Sequence, residues 1–266
     1  MNQIDRAAFE LREMDQLAVQ DSPIHALHPL TKLLTTILYI AVTVSFHKYD
    51  LSGIVIMVLY PVLLFQLSGV SVRTCFRKLR IVLPLVCAVG LFNPFFDRAP
   101  MLRLGSLVIS GGVVSMLTLV CKGVFCLMAS FLLAATTRMD AICAALRKLH
   151  VPSLLVTLLL LTYRYVTLMV EELSVMTDAY LLRAPGQNGI HYRAWGSFLG
   201  QLLLRSMDRA EELYSSMQLR GFHGEFHYAD VRPARAGDWM YLLVCAAAFA
   251  LCRAFDLPAL LGALLM

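Results

Sequence analysis

Apolar residues gather into six long runs separated by short charged or polar stretches. The runs are Leu33–Phe46, with Leu30-Thr31-Lys32 leading in, then Leu51–Gly69, Ile81–Phe96 and Gly105–Thr136. Leu154–Val170 and Trp239–Cys252 complete the set. A helix needs roughly 20 apolar residues to cross about 30 Å of hydrocarbon. The pattern therefore predicts a bundle of membrane helices. Pro84 falls near the entry of the third run. The fourth is longer than a span requires and predicts a helix that tilts or projects. The last run continues past Arg253 towards Met266, interrupted by Asp256 and Pro258.

The fifth run differs from the others. It contains Arg164, and a charged side chain is costly in hydrocarbon. Cationic residues favour the cytoplasmic side of a membrane protein. If Leu154–Val170 crossed, with a cytoplasmic N-terminus, Arg183, Arg193, Arg205, Arg209, Arg220, Arg232 and Arg235 would all lie outside. If it does not cross, all of these join Arg73, Arg77, Lys78, Arg80, Arg138, Arg147 and Lys148 inside. Outside then keeps only Lys48, Arg98, Arg103 and Arg253. The second layout is the expected one. It gives five spans and one large cytoplasmic region.

That region reads as a helical hairpin. A first helix over about 154–183 is apolar nearly all round in its first half and turns polar at Glu171, Glu172, Thr177 and Asp178. A second, over about 193–220, carries an apolar stripe through Trp195, Phe198, Leu199, Leu202, Leu203, Ala210, Leu213 and Met217, with charges opposite. Ala184-Pro185-Gly186-Gln187-Asn188-Gly189 between them is a turn signal. A shorter amphipathic helix over Ala141–Leu149 precedes the pair and ends at Val151-Pro152. The predicted fold is an all-α polytopic membrane protein of about five transmembrane helices plus a cytoplasmic coupling-helix hairpin. Its divisions are 1–136 (N-terminal segment and four spans), 137–238 (cytoplasmic helices) and 239–266 (last span).

Composition agrees with that picture. The chain has 266 residues, 59% hydrophobic and 15% charged, against about 45–50% and about 25% in ordinary soluble domains. That excludes a soluble enzyme, a disordered chain and a disulfide scaffold. Cys75, Cys87, Cys121, Cys126, Cys143, Cys245 and Cys252 form no CxxC pair and read as small buried hydrophobes. The acidic start (Asp5, Glu10, Glu13, Asp15, Asp21) has no apolar core and predicts no signal peptide.

Several kinds of chemistry are missing. There is no GxxxxGK[ST] loop to cradle ATP phosphates. None of the five spans holds Asp or Glu in its apolar interior, as ion-coupled carriers usually require. No nucleophile elbow or HExxH pair is present. His25 with His28, and His223 with His227, have spacings that suit a metal, but each pair sits in a segment better read as local structure. Lys122, inside the fourth run, either snorkels or packs into the bundle, the second being preferred. No catalytic residue, metal ligand or cofactor-binding residue is expected in this chain.

Both hairpin helices end in leucine, arginine and a small residue: Leu182-Arg183-Ala184 and Leu219-Arg220-Gly221. Cations favour helix C-termini by about 0.3–1 kcal/mol, and Gly221 suits the residue just past a helix. That accounts for each arginine singly. A functional reading makes both project into a partner, for which a planar guanidinium is suited.

At this point the chain resembles a known family, the transmembrane T component of energy-coupling factor (ECF) transporters, CbiQ family. The resemblance runs through Ser22-Pro23-Ile24-His25 to Leu33, Thr136-Thr137, Ala145–Pro152 and Leu161-Thr162-Tyr163-Arg164-Tyr165. It is densest over Gly200–Glu211 and on to Met217 and Arg220-Gly221-Phe222. The family carries two Ala-Arg-Gly-like motifs whose arginines dock in grooves of two ATPase subunits. The resemblance assigns ATPase coupling to Arg183, Ala184, Arg220 and Gly221. Leu182 and Leu219 stand where the motif has Ala, and Ala184 where the first copy has Gly.

What the resemblance implies is a non-catalytic scaffold and energy-coupling subunit of an ATP-driven importer in the prokaryotic plasma membrane. Its partners are two ATP-binding cassette ATPases, a small substrate-binding integral membrane subunit and the lipid bilayer, with no nucleic acid. ATP-Mg belongs on the ATPases. The cargo is a micronutrient, a cobalt or nickel ion or a vitamin. The alternative is a self-contained permease or channel.

Overall fold

The computed structural model describes residues 3–93, 100–104, 107–184, 189–222, 224 and 232–254. Helices α1 to α5 are Gln3–Ala18, Pro29–Ser45, Leu51–Met57, Leu59–Ser68 and Val72–Leu91. An antiparallel β-hairpin, β1 (Pro100–Leu104) and β2 (Leu107–Ser110), follows. Then come α6 (Gly111–Thr136), α7 (Met139–Lys148), α8 (Ser153–Arg183), a 3₁₀ turn at Tyr192–Ala194, α9 (Trp195–Leu219) and α10 (Ala236–Ala254). The all-α membrane architecture is as predicted, with this short β-hairpin added. Among the described residues, three helices are long and apolar enough to cross a membrane: α6, α8 and α10. Length and composition thus admit α8, and its exclusion from the spans rests on charge placement.

The chain divides into two compact units. One comprises Met1–Gln16 and Met139–Val231, the other Leu17–Arg138 and Arg232–Met266. In the second unit, α2 packs on α6 and α10, and α5 packs along α6. Its core holds Tyr39, Phe46, Ile54, Met57, Ala129 and Phe249. Tyr39, Tyr60 and Phe249 stack mutually, with ring centroids 4.6–5.4 Å apart. Four threonines on α2 need no outside partner. Thr31, Thr35, Thr36 and Thr43 donate to the backbone three or four residues earlier. That suits a helix surrounded by apolar atoms.

The apolar runs map unevenly onto helices. Leu51–Gly69 is two helices, not one, because Pro61 has no N–H to give the Met57 carbonyl. The freed Met57 carbonyl accepts from the buried Tyr39 hydroxyl at 2.8 Å. The third run is the second half of α5, whose first half carries Arg73, Arg77, Lys78 and Arg80; its end, Pro94–Phe96, lies outside the described residues. The fourth run does not begin as helix: Leu107–Ser110 is a strand, and α6 starts at Gly111. The tail 255–266 also lies outside the described residues. Helix α1 falls in a stretch whose lack of an apolar run predicted no element.

Gly123 sets the approach of α5 to α6. A Cβ there would lie 2.8 Å from Val86 Cγ1, and small residues allow helices in membranes to come close. Gly123→Leu is expected to cost about 1–3 kcal/mol by overpacking. The check is a lowered thermal unfolding midpoint in detergent, with helix content unchanged at low temperature.

Two cations from other helices serve the C-terminal end of α2. Lys122 of α6 donates to the Val44 carbonyl at 3.0 Å and to the Phe46 carbonyl. Arg253 of α10 lies over the Phe46 ring at 5.2 Å. The last carbonyls of a helix have no partner within it and carry partial negative charge. Lys122 therefore caps a neighbouring helix. The buried cysteines Cys75 and Cys143 are unpaired thiols. Burial, with Asp140 adding to it, holds the Cys143 thiol above its usual range.

A buried ionic cluster ties together the N-termini of α2 and α10 and the C-terminus of α6. Asp238, 3% exposed, is the third residue of α10. Its carboxylate reaches back to accept the Arg235 backbone N–H at 2.8 Å, half of a capping box. The same carboxylate accepts the His28 backbone N–H at 3.1 Å and the Arg232 guanidinium at 3.0 Å. The ring of His28 caps its own helix by accepting from the Leu30 N–H. Lys32, one turn into α2, donates to the Thr136 carbonyl at 2.7 Å. A carboxylate at two helix N-termini and an ammonium at a helix C-terminus are the favourable placements.

Candidate functional site

The two long helices of the other unit, α8 and α9, form the expected hairpin. Their antiparallel course is set by side chains. Glu172 of α8 pairs with Arg205 of α9, and earlier positions on α8, Leu161 and Arg164, share a cleft with later ones on α9, Arg209 and Ser216. At the turn, the His191 N–H donates to the Tyr180 hydroxyl at 3.3 Å. Pro185-Gly186-Gln187-Asn188 lie outside the described residues. Helix α1 braces α8 from another direction: Arg12 pairs with Glu171, and the Tyr163 hydroxyl donates to Asp15.

Helix α7 hands the chain to α8 through a tight turn. The N–H of His150 donates to the Arg147 carbonyl, and that of Val151 to the Leu146 carbonyl. His150 itself takes a φ of 63°. This is a Schellman closure with histidine in the place usually held by glycine. Pro152 then opens α8, as its fixed φ favours.

The two arginine ends are built differently. At the end of α9, Gly221 has a φ of 78°. Its N–H donates to the Gln218 carbonyl at 2.9 Å, and that of Phe222 to the Met217 carbonyl at 3.0 Å. Arg220 is the capping residue of this second Schellman closure. At the end of α8, Ala184 has φ −125° and ψ 66°. Ala184 is itself the capping residue there, so Arg183 is the last helical residue of α8 where Arg220 is the cap of α9. Arg183 and Arg220 are both exposed. The leucine before each is highly exposed as well, Leu182 at 84% and Leu219 at 89%. Because α8 and α9 run antiparallel, Arg183 lies at the turn and Arg220 at the far end. The 25-residue α9 between them measures roughly 37 Å at 1.5 Å per residue.

The far end also carries a feature that sequence reading missed. Between α8 and α9 is a cleft of about 510 Å³, lined by Arg164, Arg209 and Arg220 together with Tyr165, Glu212, Leu213, Met217 and Phe222. Periodicity placed Arg164 and Arg209 on helices but not on facing sides of one cleft. The signal available was their unusual charge: Arg164 in an apolar run and Arg209 beside a stripe.

The metal-spaced histidines do other work. His25 Nδ1 lies 2.7 Å from the Ser22 hydroxyl and Nε2 3.0 Å from the Leu17 carbonyl, while His28 caps α2. His223 and His227 lie outside the described residues. Among the described residues, no three His, Cys, Asp or Glu side chains converge.

A family model described as a cobalt transport protein, CbiQ, matches residues 20–228. The chain belongs to the CbiQ family. With its long apolar helices it is a multi-pass protein of the cell membrane. Among CbiQ-type relatives, it is 34% identical over 103 residues to the cobalt transport protein CbiQ of Rhodobacter capsulatus, covering 38% of this chain and 42% of that one. It is 32% identical over 107 residues to the nickel permease LarQ of Lactiplantibacillus plantarum, covering 40% and 39%. The chain thus matches about two fifths of the length of these two relatives. A longer match, 27% identical over 247 residues, joins it to the energy-coupling factor transporter transmembrane protein EcfT of Thermanaerovibrio acidaminovorans, covering 86% of this chain and 90% of that one.

Proposed function

We propose that the chain is the membrane scaffold and energy-coupling subunit of an ATP-driven, ECF-type importer, with a cobalt or nickel ion as cargo. In this reading, two ATPase subunits engage Arg183 and Arg220, and a small membrane subunit binds the ion. The observation that carries it is the pair of exposed arginines at opposite ends of one antiparallel hairpin, roughly 37 Å apart. A hairpin with an exposed arginine closing each of its two helices suits two separate sockets that approach one another when ATP is bound. The names of the relatives supply the cargo class. No step of ATP chemistry falls to this chain, whose sequence has no phosphate-cradling loop.

Reconstitution tests the reading. Proteoliposomes holding this chain with its ATPases and the small subunit are expected to accumulate Co²⁺ or Ni²⁺ only with ATP inside reach of the ATPases. The chain alone is expected to give no uptake. Uptake by the chain alone, indifferent to ATP, would replace this reading with the self-contained permease.

A further inference from the structure

Arg220 does not stand alone at its end of the hairpin. Arg164 and Arg209 line the same cleft. None of the three guanidinium groups has a hydrogen-bond or ion-pair partner among the described residues, whereas neighbouring Arg205 is paired with Glu172. Three guanidinium groups lining one cleft against a single carboxylate, Glu212, give it a net positive potential. An anion is attracted there and satisfies donors that are otherwise left to water. Met217 and Phe222 give the same cleft an apolar side, formed by the Schellman closure at Gly221.

We infer that this cleft is a recognition groove for an acidic segment of the ATPase, in which Arg164 and Arg209 decide which ATPase surface is accepted at the Arg220 end. The inference rests on the reading of Arg220 as a coupling residue. Three features favour a protein segment over a lipid headgroup. Arg209 and Arg220 lie eleven positions apart on one helix, about 16 Å, longer than a single headgroup. Glu212 between them divides the positive lining into two parts, which a mixed-charge protein surface matches and a single phosphate does not. The apolar side chains beside the arginines suit an anchoring residue of that segment. The two ends of the hairpin are then unequal: one presents a cleft lined by three arginines, the other Arg183 beside Ala184, with Arg193 in the turn that follows.

The test uses the full chain co-expressed with its ATPases and small subunit and purified in nanodiscs of neutral lipid. Arg164→Gln with Arg209→Gln, leaving Arg183 and Arg220 intact, is expected to weaken ATPase retention at least tenfold, and Arg164→Lys with Arg209→Lys to restore part of it. Retention by the unaltered complex is expected to fall as salt is raised. Wild-type retention in the glutamine variant, with retention lost in Arg220→Ala, overturns this inference and leaves the coupling reading standing. Wild-type retention in both overturns the two together. If the glutamine variant binds ATPases normally in neutral nanodiscs and loses affinity only for anionic vesicles, the groove belongs to lipid and the inference fails. Circular dichroism of each variant separates lost helix from lost recognition.

Discussion

Replacing Arg183 and Arg220 together by alanine is expected to abolish uptake while the chain still inserts and folds. Both side chains are exposed and have no ion-pair partner among the described residues, so the substitutions remove nothing that holds the hairpin together. Surface changes of that kind usually move stability by less than about 0.5 kcal/mol. At a desolvated interface the same truncation is costly, about 2–5 kcal/mol for each charge removed from a hydrogen-bonded pair. Two such losses reduce assembly by a factor of roughly a thousand or more. Uptake of labelled Co²⁺ or Ni²⁺ by cells, normalised to the amount of chain in the membrane, measures this. Lysine at either position is expected to retain part of the activity, since it keeps the charge and loses the planar fork. Full uptake in the double alanine variant would remove both arginines from the mechanism.

The second large effect concerns stability. Asp238→Ala removes a carboxylate, 3% exposed, that accepts from Arg232 and from the backbone of His28 and Arg235. Its loss leaves the N–H of buried His28 without an acceptor, which typically costs about 1–3 kcal/mol, while Arg232, 39% exposed, turns to water. For a chain of this size that corresponds to a fall in unfolding midpoint of roughly 5 °C. Cys75 and Cys143, buried when folded, gain reactivity towards a thiol dye as the chain opens, read in a background where exposed Cys87 is replaced by serine. Asp238→Asn, which keeps one acceptor oxygen, is expected to fall by less. An unchanged midpoint in the alanine variant would show the cluster to be neutral for stability.

These two sites differ in how far the sequence announced them. The arginines were legible because each stands at a helix end marked by turn chemistry, and helix ends are local events. Gly221 was likewise legible as a left-handed residue, and the structure places it there. Asp238 was not, because its partner His28 belongs to another helix and no periodicity links them. A single acid in the first turn of an apolar helix was the hint available. The break at Val58 was legible in principle from Pro61, which forbids a bond to Met57 whatever the hydropathy of the run. Hydrophobic patterning hid it, since patterning reports burial and not backbone bonding. The strand at Leu107–Ser110 was hidden in the same way, because a short apolar run serves strand and helix alike. Arg164 and Arg209 were visible as charges, but which side of a helix faces a neighbour depends on the neighbour.

The bond between Asp238 and His28 joins positions 210 residues apart. A ribosome adds about 5–20 residues per second, so the wait between these two positions is on the order of 10–40 s. During that interval the amide of His28 lacks the carboxylate that later receives it. The residues from Met139 to Val231 are synthesised in the same interval. The hairpin with its two arginines is therefore born before the other unit is sealed, and chain order sets the order of biogenesis: hairpin first, closure of the bundle last.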